Sequence, residues 1–484
     1  MAFIGIGSAS KYNIYILVAT ISKLLLDCLI GLNPLNKEYP GTFFNFIPIL
    51  TSHSIFQNLL EFLGFMLASI SIFLISLLIN KNITKNKSTT YSEQYSDLKI
   101  KSLKQNDKKP YIDIILVSLL FPINILIRTF LYLNFLDLEL WMLEIIFISF
   151  LSLKIFNIKI NRHKKAAMFI VIPLLIMEFI SESLPETKHK DENKYNEDML
   201  DYNIFKIIGK KVGYYYIPIL YITYISITLM RDYSWIKSKY LMDKKSISIC
   251  LILFLTGLFG IILSIISFII STYTPCKTYH NVIKDESDNY YIDNKIINLS
   301  KEICYIQDYN EIDKSLKLYY DNFLLMIDEY KVFNKDIKKE LFIILPLYTI
   351  ISMIKNSCHM IMIKYLEPYN ILISDNLYFF INRLIVFILN KANEEYLTVE
   401  QFILMELLEI IYIISNLIYI EIIELKFCNL DYDLRKNISK RGVLDYYNEY
   451  ESDLINGKEN RLSNDIEVSE GYGINPEDFN LVTK

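Results

Sequence analysis

Charge divides this chain of 484 residues into ten long apolar runs, with Lys, Arg, Asp and Glu collected between them. A bilayer's hydrocarbon core of about 30 Å needs roughly 20 apolar residues as a helix, because only an α-helix or a closed barrel satisfies its own backbone hydrogen bonds there. The runs are Tyr12 to Leu32, Gln57 to Asn80, Tyr111 to Phe135, Glu139 to Asn157, Ala166 to Ser181, Lys206 to Met230, Ile247 to Thr272, Glu340 to Tyr365, Pro368 to Asn390 and Phe402 to Leu425. The fifth is short, and the sixth opens on Lys206, Lys210 and Lys211. The expected fold is an all-α polytopic membrane protein of about ten transmembrane helices. Hydrophobic residues at 52% with 14% aromatics exceed what a water-soluble domain of this length usually buries.

Orientation follows from the basic residues, which stay on the cytosolic side in short loops. With the N-terminus inside, the second loop carries Lys81, Lys85, Lys87, Lys99, Lys101, Lys104, Lys108 and Lys109. The fourth carries Lys159, Arg162, Lys164 and Lys165, and the sixth Arg231, Lys237, Lys239, Lys244 and Lys245. Outer loops are poor in base, and Glu182 to Asp201 holds seven acids against three lysines. Lys206, Lys210 and Lys211 are the one conflict. An even number of spans returns the C-terminus to the cytosol, beside Lys426, Arg435, Lys436, Lys440 and Arg441. The first run lacks a small-residue cleavage site and reads as a retained span. The expected location is an endomembrane or the plasma membrane.

Two segments read as soluble. The outer loop 273–339 is long, and the spacing of apolar residues from Ile312 to Tyr330 predicts a short amphipathic helix. The acidic tail after Tyr447, like most of the cytosolic loop 81–109, has too little apolar surface to fold. Cys276 and Cys304 share the outer loop, where a disulfide and two free thiols are both open readings. The sequon at Asn298 lies there too and is the glycosylation candidate; those at Asn82, Asn86 and Asn437 fall on cytosolic segments.

Ionisable residues inside spans carry the functional information, since each costs about 2.5 to 3.5 kcal/mol at a helix centre. Lys23 and Asp27 are four apart on the first span and share a face on which they can pair. Arg128 follows Asn124 by one turn on the third. Lys355, Asn356 and His359 cluster on the eighth, and Asp375, Asn376, Asn382 and Arg383 on the ninth. Glu144, Glu178, Glu406 and Glu421 sit near enough to run ends to reach an interface. The cations Lys23, Arg128, Lys355 and Arg383 near mid-membrane point to an anionic solute. An intramembrane enzyme is disfavoured: the chain has no HExxH, nucleophile elbow or P-loop, and no cysteine spacing suits zinc, so no catalytic residue, metal or cofactor is expected.

Three stretches carry a family resemblance. Ser152 through Ala167 looks like a short basic turn between fourth and fifth spans, Lys239 through Gly260 like a linker entering a glycine-bearing seventh span, and Lys364-Tyr-Leu-Glu-Pro-Tyr369 like a tight proline turn between eighth and ninth. With ten spans divisible as five plus five, the chain resembles the drug/metabolite transporter superfamily of nucleotide-sugar and triose-phosphate carriers. It departs from that pattern in its scarce glycine, long outer loop and acidic tail. The resemblance implies two inverted repeats, 1–205 and 206–426, followed by the tail 427–484, with a site near the midplane and alternating access. The expected function is a carrier of small, in particular anionic, metabolites. Its partners are the lipid bilayer, a small-molecule metabolite and a second copy in a homodimer, with no nucleic acid. The rival reading is a non-transporting membrane scaffold or receptor-like protein acting through its outer loop and cytosolic tail.

Overall fold

The computed structural model describes residues 4–6, 14–30, 53–86, 109–135, 143–156, 162–183, 217–285, 289–293, 295–297, 299, 304, 306–333, 335–366, 368–390, 399–426 and 430. It is mostly helical. Five helices come first: α1 (Ile14–Ile30), α2 (Ser54–Asn86), α3 (Lys109–Phe135), α4 (Glu144–Phe156) and α5 (Arg162–Ser183). After α6 (Ile217–Lys244) and α7 (Ile249–Tyr273) comes a small β module, then the short α8 (Phe323–Val332), then α9 (Lys335–Tyr365), α10 (Tyr369–Asn390) and α11 (Val399–Tyr419). Each of the ten apolar runs overlaps one of these helices, the sixth only from Ile217 to Met230, since α6 extends on to Lys244 and residues 206–216 lie outside the described ones. Among the described residues, four stretches are long and apolar enough to cross a membrane: Ser54–Leu78, Tyr111–Phe130, Ile249–Tyr273 and Leu341–Tyr365.

The distribution of side chains is the reverse of a water-soluble bundle. Large apolar residues such as Ile112, Phe169, Ile222 and Ile269 are exposed on the outer helix faces, while Thr20, Asn58, Asn124, Ser374 and Asn416 are buried between helices. Exposed apolar area costs about 25 cal/mol per Å² in water, and none in hydrocarbon, so this pattern fits a lipid surround. Polar groups inside are bonded across helices: Thr20 to Ser374 at 3.2 Å, Asn58 to Thr129 at 3.0 Å, and Ser69 to the Cys250 carbonyl at 2.8 Å.

The helices of the first half pack mainly on those of the second. α2 lies against α7 and α9, α1 against α9 and α10, α3 against α6 and α7, α4 against α6, and α5 against α11. Scarce glycine is used where it matters. A Cβ at Gly257 of α7 would meet the Phe62 carbonyl at 2.8 Å and the Met66 amide at 2.9 Å, so only glycine permits this approach of α2. Gly260, one turn on, faces the Phe62 ring, and Gly64 of α2 faces Ser352 of α9.

Helix ends are satisfied locally. Ser248 caps α7 by accepting from the Leu251 amide (3.2 Å). Lys239 of α6 reaches the carbonyls of Ile363 and Lys364 at 3.3 and 3.1 Å, supplying positive charge at the C-terminus of α9. Glu421, at φ 66°, ends α11 in a Schellman motif, with the Ile422 amide on the Leu417 carbonyl and its own on Ile418. β8 (Ile423–Leu425) follows at once and pairs antiparallel with β1 (Ile4–Ile6), bringing the two ends of the helical array together.

The segment between α7 and α9, the loop expected to be outer, folds into a module. β2 (Lys277–Tyr279), β7 (Ser315–Tyr319) and β6 (Ile306–Asn310) form one antiparallel sheet in that order, and β3 (Ile283–Lys284), β4 (Tyr290–Ile292) and β5 (Lys295–Ile296) another. Val282, Tyr290, Leu316 and Leu318 make their core, beside a disulfide between Cys276 and Cys304. Tyr291 donates its hydroxyl to Asp285 (3.1 Å), a bond that holds its phenol above the ordinary tyrosine range. The amphipathic helix expected over Ile312 to Tyr330 is corrected: Leu316 and Leu318 alternate inward on β7, and helix begins only at Phe323, capped by Asn322. The sequon at Asn298, the basic loop beyond Asn86 and the tail lie outside the described residues.

Candidate functional site

A cavity of about 230 Å³ opens among α1, α2, α3, α4, α6, α9 and α10. Its charged lining is formally balanced: Lys23, Arg128, Arg231 and Lys355 against Asp27, Glu61, Glu144 and Asp375. Three ion pairs cross it. Lys23 of α1 bonds Asp375 of α10, Lys355 of α9 bonds Glu61 of α2 at 2.5 Å, and Arg231 of α6 bonds Glu144 of α4. Each joins a first-half helix to a second-half helix. Charges in a low-dielectric interior persist only when so paired and hydrogen-bonded.

The helices arrange this by their periodicity. On α1, Lys23 and Asp27 stand one turn apart on the inward face, with Leu26 between them at the cavity edge. His53, just ahead of α2, and Gln57 and Glu61 on it recur every fourth residue; the last two line the cavity, and His53 continues the row to the outer module. There its Nδ1 lies 2.5 Å from Asp321 and its Nε2 3.3 Å from Glu329, with His53 and Asp321 both fully buried. Asp321 also accepts from the Ile55 and Asn322 amides at 3.1 and 2.8 Å.

The expected site residues divide. Lys23, Asp27, Arg128, Lys355 and Asp375 line the cavity, as does Asn376. The pairing of Lys23 with Asp27 is corrected, because Asp375 crosses from α10 to take the ammonium and Asp27 accepts from the Tyr378 hydroxyl instead. Asn124 is structural here: its amide donates to the Ile227 carbonyl and ties α3 to α6. Asn356 donates to Ser352 on its own helix at 3.2 Å. Nε2 of His359 is buried without a hydrogen-bond partner among the described residues. Asn382 is half-buried on α10, away from the lining, and the Arg383 side chain lies outside the described residues.

Three lining groups were misread or missed. Glu144 is not interfacial; it is 4% exposed and paired with Arg231. Glu406 is likewise buried, on α11. Arg231 belongs to no loop, because α6 runs on to Lys244 and turns the guanidinium inward, over the Trp235 ring at 4.8 Å. Glu61 stands inside the second apolar run, and the same test that singled out Lys355 identifies it. Lys23, Arg231 and Lys355 thus each have a carboxylate partner across the cavity.

A second polar cluster lies between α4, α5, α10 and α11. Tyr369 donates to Asn416 and stacks on Tyr419 at 4.1 Å, whose hydroxyl accepts from Ser149 at 2.8 Å. Asn416 keeps one donor, Nδ2, buried without a hydrogen-bond partner among the described residues.

An inward-facing polar interior, an apolar exterior and membrane-length helices define a helical membrane protein. No protein-family model matches the chain, and no curated protein matches it.

Proposed function

We propose that the protein is a carrier of small polar metabolites, with ten spans in two inverted repeats, working by alternating access. The observation that carries this reading is the cavity itself, whose three ion pairs each join one half of the chain to the other. Such pairs are contacts that a bound solute can break and remake as the halves move.

The helix pairing supports the repeat. Exchanging α1 with α6, α2 with α7, α3 with α9, α4 with α10 and α5 with α11 carries the main pairings into one another. α1 on α9 becomes α6 on α3, α2 on α9 becomes α7 on α3, and α1 on α10 becomes α6 on α4; α2 with α7 and α5 with α11 map to themselves. The pairings of α10 with α11, of α6 with α9 and of α9 with α10 lack counterparts of similar extent. The drug/metabolite transporter resemblance accords with this plan. The β1–β8 pairing accords with an even number of spans, which leaves both ends of the helical array on one face.

The rival scaffold or receptor reading draws support from the folded, disulfide-tied outer module. Counterflow separates the two. The full chain is reconstituted in liposomes and preloaded in turn with each member of a metabolite panel, and entry of the same labelled compound is measured. A carrier gives transient accumulation that Lys355→Ala reduces on the order of tenfold or more, as expected from the loss of a charge-assisted hydrogen bond. Absence of counterflow across the panel, from protein that remains folded, returns the scaffold.

A further inference from the structure

We infer that the cavity's ligand is a small zwitterion bearing an ammonium and a carboxylate, the chemistry of an amino acid. This rests on the carrier reading for its purpose but on the lining for its argument. Glu61, Glu144 and Asp375 each hold a cation. Asp27 differs: it accepts from the Tyr378 hydroxyl and forms no ion pair among the described residues. Its second oxygen has acceptor capacity for an N–H donor.

The complementary group is Asn376. It lines the same cavity from α10, is 2% exposed, and its Nδ2 has no acceptor among the described residues. A buried donor left unsatisfied is costly, so an acceptor brought by a ligand is favoured to turn this amide into the cavity. One lining group thus calls for a cationic donor and another for an anionic acceptor.

Net charge makes the same selection. The lining is balanced, so a solute with a net charge would leave an uncompensated charge in a poorly solvated space, whereas a zwitterion adds none. Size sets the scale: about 230 Å³ lies below the roughly 300 to 1,000 Å³ of sites for drug-sized ligands.

The test is binding of the twenty common L-amino acids to the full purified chain, read as a shift in unfolding temperature and then as a dissociation constant for the best. Lactate, which lacks the ammonium, and ethylamine, which lacks the carboxylate, serve as single-charge probes. The expected result is a shift with one or more amino acids and none with either single-charge probe. Asp27→Asn and Asn376→Ala then weaken binding on the order of tenfold or more, while Asp27→Glu retains it. No shift with any amino acid, an equal shift with lactate or ethylamine, or unchanged affinity in a folded Asp27→Asn variant overturns the assignment. Counterflow of the bound amino acid is scored apart. Binding without counterflow removes the carrier and leaves the zwitterion site, whereas counterflow of another solute class does the reverse.

Discussion

Lys355 of α9 donates to Glu61 of α2 at 2.5 Å across a separation of 294 positions, and both side chains face the charged cavity. Neither is stable there alone. Lys355→Met leaves a carboxylate and Glu61→Met an ammonium in a poorly solvated site, and each single change is expected to cost about 1.5 to 3 kcal/mol. The double variant removes both charges and should be less destabilised than the sum of the singles. Thermal unfolding of the four proteins in one detergent checks this; additive losses would show that the pair contributes nothing jointly.

His53 binds the outer module to the head of α2 through Asp321 and Glu329. His53→Ala leaves Asp321 buried with its two amide donors alone. The module should then detach locally while the helices hold. Amide hydrogen exchange is expected to rise in residues 53–60 and 321–330 and to stay unchanged in α10. A uniform rise across the chain would instead mean global destabilisation.

The Cys276–Cys304 bond closes a loop with a sequence separation of 28. Chain-entropy arguments put the stabilisation from such a loop at about 3.5 kcal/mol, borne by the outer module. Reduction or Cys276→Ser should expose residues 277–319 to limited proteolysis before any helix is cut. Unaltered resistance after complete reduction would show that the sheets hold without the bond.

Gly257→Leu should separate α2 from α7, because the added side chain meets the backbone of Phe62 and Met66 as well as the Met66 side chain, and the backbone cannot yield. The expected loss is about 1 to 3 kcal/mol, from overpacking. Leu at the exposed position of Ile262, on the same helix, is the control and should leave unfolding unchanged.

Much of the cavity was legible along the chain. Lys23, Asp27, Arg128, Lys355 and Asp375 announce themselves because a charge inside an apolar run is costly wherever the helix lies. Glu61 met the same criterion. Arg231 escaped because charges at the end of an apolar run read as loop, and nothing local says that α6 continues to Lys244. The alternation of Leu316 and Leu318 around Lys317 carried the strand signal, which the longer aromatic spacing through Tyr330 overrode.

The apolar helical segments and the membrane environment come from the sequence by itself, because each depends on hydropathy and backbone satisfaction within one segment. The two cysteines of the outer loop were visible there too, but the structure decided between a disulfide and two free thiols. Tertiary structure alone decided that Lys23 meets Asp375, 352 positions away, rather than Asp27 one turn along its own helix. It likewise matched each of three cations with a carboxylate and turned an apparently basic interior into a balanced one. Which charge faces which depends on how helices rotate and cross, and that is set by close contacts such as Gly257 on Phe62, made between segments far apart in the chain.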